Sequence, residues 1–401
     1  MKTVALKDVV QRVETIDPRR NPDREITYID ISSVDNVKKV IARPTRLQGR
    51  DAPSRARQLV KTGDVLVGTT RPYLNAVAQV PAGLDGQICS TGFTVLRPSP
   101  QLLSDYLFHW VQHPVFVDGL TRLVQGALYP AVTDKQVLSQ SIPLPSVDLQ
   151  RRIAALLVAR FATAENLRRA ASTESEGIRA TARTLVAATF ADLKTPRRSL
   201  SQLVPGRGAI TDGPFGSNLK TEHYVSSGVR VVRLANIGNG EFLDADRAYI
   251  TQDHFRGLRR HSVGPSDVVV AALGDGIRPA GRACVVPDSI DEGLVKADCF
   301  RIRLADTALE PAFLMHFLNS PSTLRAVAGA TRGATRPRMT LDMLKAMEIP
   351  VLERDTQRGV VAKLSEIMDT TRRAGLASRA IQEDLGAIAV AFLREAFAEP
   401  S

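Results

Sequence analysis

The chain has 401 residues, with 53 lysines and arginines against 42 aspartates and glutamates, for a formal net charge of +11. Hydrophobic residues at 44% and charged residues at 24% match a soluble globular chain, which excludes collagen-like, mucin-like and wholly disordered polymers. The length predicts two or three domains. Three isolated cysteines, no apolar signal-peptide core after Met1, and apolar runs too short for a membrane span together predict a reduced cytoplasmic protein.

In chain order, the first feature is a basic cluster. Lys38, Lys39, Arg43, Arg46, Arg50, Arg55, Arg57 and Lys61 face only Asp51 between them. A second cluster, Arg325, Arg332, Arg336, Arg338 and Lys345, encloses only Asp342. Such clusters suit a polyanion, because each neutralised phosphate releases counterions; a solvated basic face is the alternative. Short β-rich runs follow at Val65–Val67 and Phe93–Leu96, and again at Val229–Val232, Val268–Val270 and Phe300–Arg303, each bounded by Gly, Pro, Asp or Ser. Helical patches interrupt them from Leu103 to Val111 and from Pro311 to Leu318.

Pro143-x-Pro145 and Pro350 each stop a strand-rich region before a long helical one. In the second of these, Val360, Leu364, Ile367, Thr371, Ala374, Ser378, Ile381, Leu385, Ile388 and Phe392 alternate by four and three, a sustained heptad seam. In the first, Ile153, Leu157, Ala164, Leu167, Ala171, Ile178 and Leu185 form the equivalent stripe, interrupted by Arg160 and Glu174. From Val147 to Phe190 such a helix is roughly 65 Å long. Neither globular part alone covers that length, so each helix is expected to pair with the other, antiparallel.

The chain is an internal repeat with an offset of 207, Leu107 to Leu314. In the same register fall His109 and His316, Gly126-Ala127-x-x-Pro130 and Gly333-Ala334-x-x-Pro337, Thr133 and Thr340, Ile142-Pro143 and Ile349-Pro350, Gln150-Arg151 and Gln357-Arg358, and Phe190-Ala191 and Phe397-Ala398. Arg71-Pro72 matches Arg278-Pro279, whereas Gly63-Asp64 and Ser266-Asp267 match only with an indel of four. A period this long means two similar domains rather than a solenoid. The fold class read from these elements is α+β, with mixed sheets in two globular domains.

Catalytic signatures are missing. Asn21-Pro22-Asp23-Arg24 lacks the second proline and the aromatic residue that an adenine methyltransferase uses to hold a flipped base. Gly274-Asp275-Gly276-Ile277-Arg278 lacks the lysine of a phosphate-binding loop. Neither Pro22-Asp23 nor Pro287-Asp288 leads into an acid-x-Lys nuclease element. His109 and His113, four apart on an expected helix, could share a face, but no third ligand is visible and Leu107, Phe108 and Trp110 around them favour packing. Cys284 and Cys299 read as small core residues. No catalytic residue, metal or cofactor is expected.

The motifs Tyr28-Ile29-Asp30-Ile31-Ser32-Ser33-Val34-Asp35-Asn36, Thr211-Asp212-Gly213-Pro214-Phe215-Gly216-Ser217-Asn218-Leu219 and Gly228-Val229-Arg230-Val231-Val232-Arg233-Leu234-Ala235-Asn236-Ile237 resemble the openings of target recognition domains in the specificity subunit of type I restriction–modification enzymes. Ile142-Pro143-Leu144-Pro145 with Gln150-Arg151-Arg152-Ile153-Ala154 resembles the junction into that family's conserved helix. The second junction departs from it, with Val351-Leu352 in place of Leu144-Pro145, and the first-domain loop Gly126-Ala127-Leu128-Tyr129-Pro130-Ala131 lacks the arginines of Gly333-Ala334-Thr335-Arg336-Pro337-Arg338. The resemblance covers nearly the whole chain. It implies target recognition domains at 1–145 and 196–352 and spacer helices at 146–195 and 353–401, pairing through Ile153, Leu157, Leu167, Ile178, Leu185, Val360, Leu364, Ile367, Ile381, Leu385, Ile388 and Phe392.

The resemblance further implies a non-catalytic subunit that binds a bipartite, asymmetric double-stranded DNA target, with one half read by each domain. Its other partners would be two methyltransferase subunits and the motor–nuclease restriction subunits, with no membrane. On that reading Lys38, Lys39, Arg43, Arg46, Lys220 and Arg332 are phosphate contacts. Arg71, Tyr73, Gln125, Tyr129, Ser217, Asn218, Arg278, Arg336 and Arg338 are base-edge contacts. Each has a structural alternative: a shared turn for Arg71 and Arg278, core packing for Tyr129, a helix cap at Leu219 for Ser217 and Asn218. Competing readings are the recognition subunit of another bifunctional restriction–methylation system, a self-sufficient DNA-modifying enzyme, and a structural coiled-coil protein.

Overall fold

The computed structural model describes residues 2–124, 130–275, 277–305, 307–331 and 337–398, without the side chain of Ser217. The chain divides into two compact units. One comprises Met1–Ser172 with Ser378–Ser401, the other Thr173–Ala377. Both are α+β. The runs read as strands form strands at Val65–Gly68, Phe93–Pro98, Val229–Val232, Val268–Ala271 and Cys299–Ile302, and the helical patches form helices Ser104–Trp110 and Pro311–Leu318. No helix among the described residues is long and apolar enough to cross a membrane.

In the first unit, Val10–Gln11, Phe93–Pro98, Val65–Gly68 and Val77–Gln79 make an antiparallel sheet in that order. Its strands are apolar at consecutive positions because both faces are covered. Val65 and Val67 pack on a core shared with Leu107 and Trp110, while Leu66 points the other way, toward Ile29, Cys89 and Phe93. The second sheet, Thr45–Gln48, Glu25–Ile29, Ile88–Ser90 and Ala56–Leu59, is mixed, since Glu25–Ile29 and Ile88–Ser90 run parallel.

The second unit repeats this plan. Ile210–Asp212, Cys299–Ile302, Val268–Ala271 and Ala283–Val285 form the antiparallel sheet. Val268 and Val270 face a core with Leu314 and Phe317, and Val269 and Ala271 face the opposite one with Cys284 and Cys299. The mixed sheet has five strands, with Val229–Val232 parallel to Gly293–Val295.

Two devices recur in both units and fix the repeat physically. The first is a buried carboxylate clamp. Asp64 accepts from Arg97 Nε and Nη2 at 2.9 and 2.8 Å and from the Lys61 amide at 2.8 Å. Asp267 accepts from Arg303 at 3.0 and 2.7 Å and from the Gly264 amide at 2.9 Å. Gly63 and Ser266, just before each aspartate, both have a left-handed backbone, at φ 84° and 64°. The second device is a buried glutamine at the start of each long helix. Gln150 accepts from the Leu103 amide (2.8 Å) and donates to the Gln101 and Pro145 carbonyls (2.9 and 3.0 Å). Gln357 accepts from the Glu310 amide (2.9 Å) and donates to Ala308 and Leu352 (2.8 and 2.9 Å). All three partners keep the offset of 207.

The repeat also reaches the strand that opens each unit, where the sequence register carries no signal. Thr3–Ala5 pairs with Ser141–Pro143, and Arg197–Ser199 with Glu348–Pro350. Leu6 donates its amide to Gln140 and Leu200 to Met347, both at 2.9 Å. Here the offset is 194, Leu6 to Leu200. Length differences in the intervening loops hide it from an ungapped comparison.

The long helices are Val147–Ala191 and Arg354–Phe397. Within the first unit the start of one lies antiparallel to the end of the other. Arg160 makes a bidentate ion pair with Glu395, Phe161 meets Phe392 edge-on, and Ala164, Leu167, Leu385, Ile388 and Phe392 line an apolar groove of about 320 Å³. Ile153 and Leu157 are buried there, Leu385 and Phe392 half-buried, and Leu167, Ile381 and Ile388 are between 40% and 55% exposed. Within the second unit Leu364 is fully buried beside Phe190, with Val360 and Ile367 packed on the same core; Ile178 is half-buried and Leu185 is exposed.

Each helix ends on the other repeat's globular core. Phe397, in the second copy, packs tilted against Tyr106 and edge-on against Trp110, with centroids 5.1 Å away in both cases. Phe190, its counterpart in the first copy, meets Phe313 and Phe317 at 5.8 and 5.5 Å. Tyr106 and Phe313, and likewise Trp110 and Phe317, are themselves repeat partners.

Candidate nucleic-acid interface

In the first unit the connection between strands Val65–Gly68 and Val77–Gln79 is a single helical turn, Pro72–Leu74, flanked by Arg71 and Asn75. Both flanking residues are left-handed, at φ 51° and 47°, and so is Lys39 at φ 56°. Each non-glycine residue held there costs on the order of 1 kcal/mol, and such positions concentrate at functional loops. The three are tied together, since Lys39 Nζ donates to the Asn75 carbonyl at 2.5 Å. The segment before the helix at Asp134–Leu138 is zipped onto the same loop: Arg71 donates its amide to Pro130 at 2.8 Å and Val132 donates to Thr69 at 3.0 Å. Three segments distant in sequence thus form one loop cluster.

Arg71, Tyr73 and Lys38 are exposed on this cluster, beside exposed Leu74 and Val37. Arg43 and Arg46 are exposed nearby in sequence, with Arg46 on the sheet-edge strand Thr45–Gln48. Lys39 differs from its neighbours: burial lowers its ammonium to about 8. Its hydrogen bond to Asn75 makes it a brace between loops rather than a free cation. Asp35 anchors the turn that carries Lys38, accepting from the Val37 and Lys38 amides at 2.9 Å, and these hold its carboxyl below the usual range. Gln125 and Tyr129 lie outside the described residues.

In the second unit the corresponding connection is longer. Gly274, not Arg278, donates its amide to Pro337 at 3.0 Å, the bond that Arg71 makes to Pro130 in the first unit. The additional residues form an Asp275 turn, in which the Asp275 carboxylate accepts from the Ile277 and Arg278 amides at 2.9 and 2.7 Å. Arg278 lies 3.4 Å from the same carboxylate, and Ile277 is 93% exposed at the tip. The base of this loop is held by Arg282, which is fully buried and donates to the carbonyls of Leu234, Ile237, Leu273 and Pro279 at 2.8–3.1 Å. Arg338 is exposed and ion-paired with Asp298. Gly213 closes in from the side. A Cβ there would meet the Lys296 carbonyl carbon at 2.1 Å, so only glycine fits against that backbone.

Asn218 caps no helix at Leu219. Its amide donates to Phe215 at 3.1 Å within the turn Gly216–Asn218, and its carbonyl contacts His254 Nε2 at 2.8 Å. Lys220 is exposed, 3.6 Å from Glu222. Arg332 and Arg336, like the Ser217 side chain, lie outside the described residues. His109 is buried between Phe108 and Phe161, which lowers its imidazole to about 4, and His113 stacks on Trp110. Burial pushes the Cys284 thiol up to about 12 and the Cys299 thiol higher still. No group of three His, Cys, Asp or Glu suited to a metal occurs among the described residues.

No protein-family model matches the chain. Over 107 residues it is 26% identical to the specificity subunit of the type I restriction enzyme HindI from Haemophilus influenzae, a stretch spanning 26% of this chain and 23% of that protein. A chain in a structure concerning complex assembly and conformational transition of the type I R-M system matches with 28% identity and a TM-score of 0.80, covering 99% of this chain and 97% of that one. The HsdS subunit from Thermoanaerobacter tengcongensis matches with 28% identity and a TM-score of 0.59, covering 99% and 96%. The chain has the fold of a type I specificity subunit.

Within that fold, sequence reasoning missed the residues that shape the two loop clusters from beneath: Asn75, Asp275, Arg282 and Asp298. Asn75 and Asp298, the latter left-handed at φ 70°, carried one available signal, because Asn and Asp are the side chains that best tolerate such a backbone. Arg282 carried none, since Gly281-Arg282-Ala283 reads as another basic loop residue.

Proposed function

We propose that the chain is the non-catalytic DNA-specificity subunit of a type I restriction–modification enzyme, reading an asymmetric, bipartite duplex. The observation that carries this reading is a repeated frame with unlike loops. The aspartate clamp, the junction glutamine and the opening strand recur at equivalent places, while Arg71-Pro72-Tyr73 in one unit is replaced by Asp275-Gly276-Ile277-Arg278 in the other. Similar frames present two readers of different chemistry, so the two half-sites differ. Lys38, Arg43, Arg46, Lys220 and Arg332 neutralise phosphates and set register. Arg71, Tyr73, Gln125, Tyr129, Ser217, Asn218, Arg278, Arg336 and Arg338 supply base contacts, with the arginine forks suited to guanine O6 and N7. In the second unit Asp298 must share or release Arg338 for it to do so.

On this reading 1–145 and 196–352 are the reading domains, and 146–195 and 353–401 form a paired spacer through the heptad residues from Ile153 to Phe392. The spacer docks two methyltransferase subunits, which perform the methylation, and the motor–nuclease subunits, which perform the cleavage, in the cytoplasm. The chain itself needs no cofactor.

Binding to duplex DNA across a salt series tests the assignment. Replacing Lys38, Arg43 and Arg46 together by glutamine should reduce the slope of log K against log salt by about 0.9 for each phosphate no longer neutralised, with the preferred sequence unchanged. Arg71→Ala should cost about 1–3 kcal/mol and relax preference at one base pair. A salt slope unaltered by the triple variant, with sequence preference fully kept in Arg71→Ala, would remove both roles.

A further inference from the structure

The second unit contains an arginine pocket that lies apart from its loop cluster. A cavity of about 410 Å³ is lined by Arg207, Arg259, Arg260, Arg301 and Arg303, together with the backbone of Gly206 and Gly208. The strand Cys299–Ile302 explains both the convergence and the separation. Phe300 and Ile302 point into the hydrophobic core, so Arg301 and the following Arg303 emerge on the opposite face. Asp298, at the start of this strand, holds Arg338 of the loop cluster, while Arg303 lies past its end. At about 3.3 Å per residue the two are about 16 Å apart.

Among the described residues, two carboxylates face the five arginines of the pocket. Asp267 neutralises Arg303, and Glu292 lies 4.0 Å from Arg259. Arg301 is 3% exposed, and its Nη2 donates to the Gly208 carbonyl at 2.8 Å. Its Nε has no hydrogen-bond partner among the described residues. Burial, then the charge of Arg303, lower its guanidinium to about 10. A buried, under-partnered cation is costly unless an anion completes it. Arg260 is pre-positioned: its Nε donates to His261 Nε2 at 2.7 Å, and His261 Nδ1 in turn donates to the Asp212 carbonyl. The Nη groups of Arg260 point to no acceptor among the described residues. Arg207 is exposed on a loop whose glycines, at φ 122° and 83°, bring the backbone to the rim.

We propose that this pocket binds a phosphate group, carried by a free nucleotide or by a nucleic-acid backbone. Forked guanidinium groups match phosphate oxygens two by two. Capture of a free phosphate compound here does not depend on the DNA reading above.

The test is calorimetric titration of the full chain with pyrophosphate, in parallel with the double variant Arg207→Gln/Arg260→Gln and the control Arg122→Gln at an exposed arginine of the first unit, after circular dichroism has confirmed that each is folded. Saturable one-to-one binding is expected for the wild type and the control, weakened at least tenfold in the double variant. Duplex binding then separates the sources. A salt slope reduced by about one in the double variant assigns the pocket to a backbone phosphate, and an unchanged slope assigns it to a free phosphate compound. Absence of saturable pyrophosphate binding by the wild type, or equal binding by the double variant, would overturn the proposal.

Discussion

Phe397→Ala should destabilise the first unit by about 3–5 kcal/mol, the range for removing a buried aromatic ring from a packed core. Phe397 is buried against Tyr106 and Trp110 and meets the His113 ring edge-on at 5.6 Å. It lies 287 positions after Trp110, so its loss detaches the end of the second long helix from a core built mainly from the first repeat. Phe190→Ala should do the same to the second unit through Phe313 and Phe317. Hydrogen exchange resolved by segment is the decisive readout. Faster exchange in Ser104–Trp110 for Phe397→Ala and in Pro311–Leu318 for Phe190→Ala is expected. Effects below about 1 kcal/mol, or exchange rising equally in both segments, would contradict reciprocal docking.

Arg97→Met is the second large effect, expected to cost about 3–5 kcal/mol in urea unfolding. It leaves the Asp64 carboxylate buried with only the Lys61 amide as a partner, and an uncompensated buried charge is the costly half of a broken pair. The double variant Asp64→Asn/Arg97→Met should recover part of that stability, because no bare charge remains. The equivalent Arg303→Met should cost less, since the Arg303 side chain is 40% exposed and water shares in solvating its partner. Equal stability of Arg97→Met and the wild type would show that the clamp contributes only geometry.

What was legible from the sequence follows from which interactions are local. Val65–Gly68 and Val268–Ala271 are buried on both faces, so their apolar runs announce them without neighbours. Pro143 and Pro350 end strands immediately before the long helices, and the seam residues Leu157 and Leu364 are fully buried where each helix meets a globular core. Leu167, Leu185, Ile381 and Ile388 fall on the same heptad but keep much of their surface, because away from the cores a seam residue has only another helix, with small residues such as Thr163 and Ala164, to cover it.

The missed features depend on tertiary context. Asp64 and Arg97 are individually unremarkable, and their pairing is set by strand register. The five pocket arginines are spread from 207 to 303 and converge only through the sheet order. Arg282 looks like a surface cation until its four carbonyl partners are known. The matched Arg71-Pro72 and Arg278-Pro279 steps suggested one shared turn, whereas the second loop is longer and hands the bond to Gly274. Lys39 counted as one more positive charge in a basic run, although its left-handed backbone and the Asn75 carbonyl make it part of the loop's frame.

On the proposed function, one duplicated chain carries two unlike DNA readers on a common frame. The deciding measurement is selection of bound duplexes from a randomised library by the purified chain, followed by sequencing. The expected outcome is two short conserved blocks, unlike in sequence, separated by a fixed gap without preference, with Arg71→Ala loosening one block and Arg338→Ala the other. A single contiguous or palindromic block, or enrichment of no sequence at all, would contradict it.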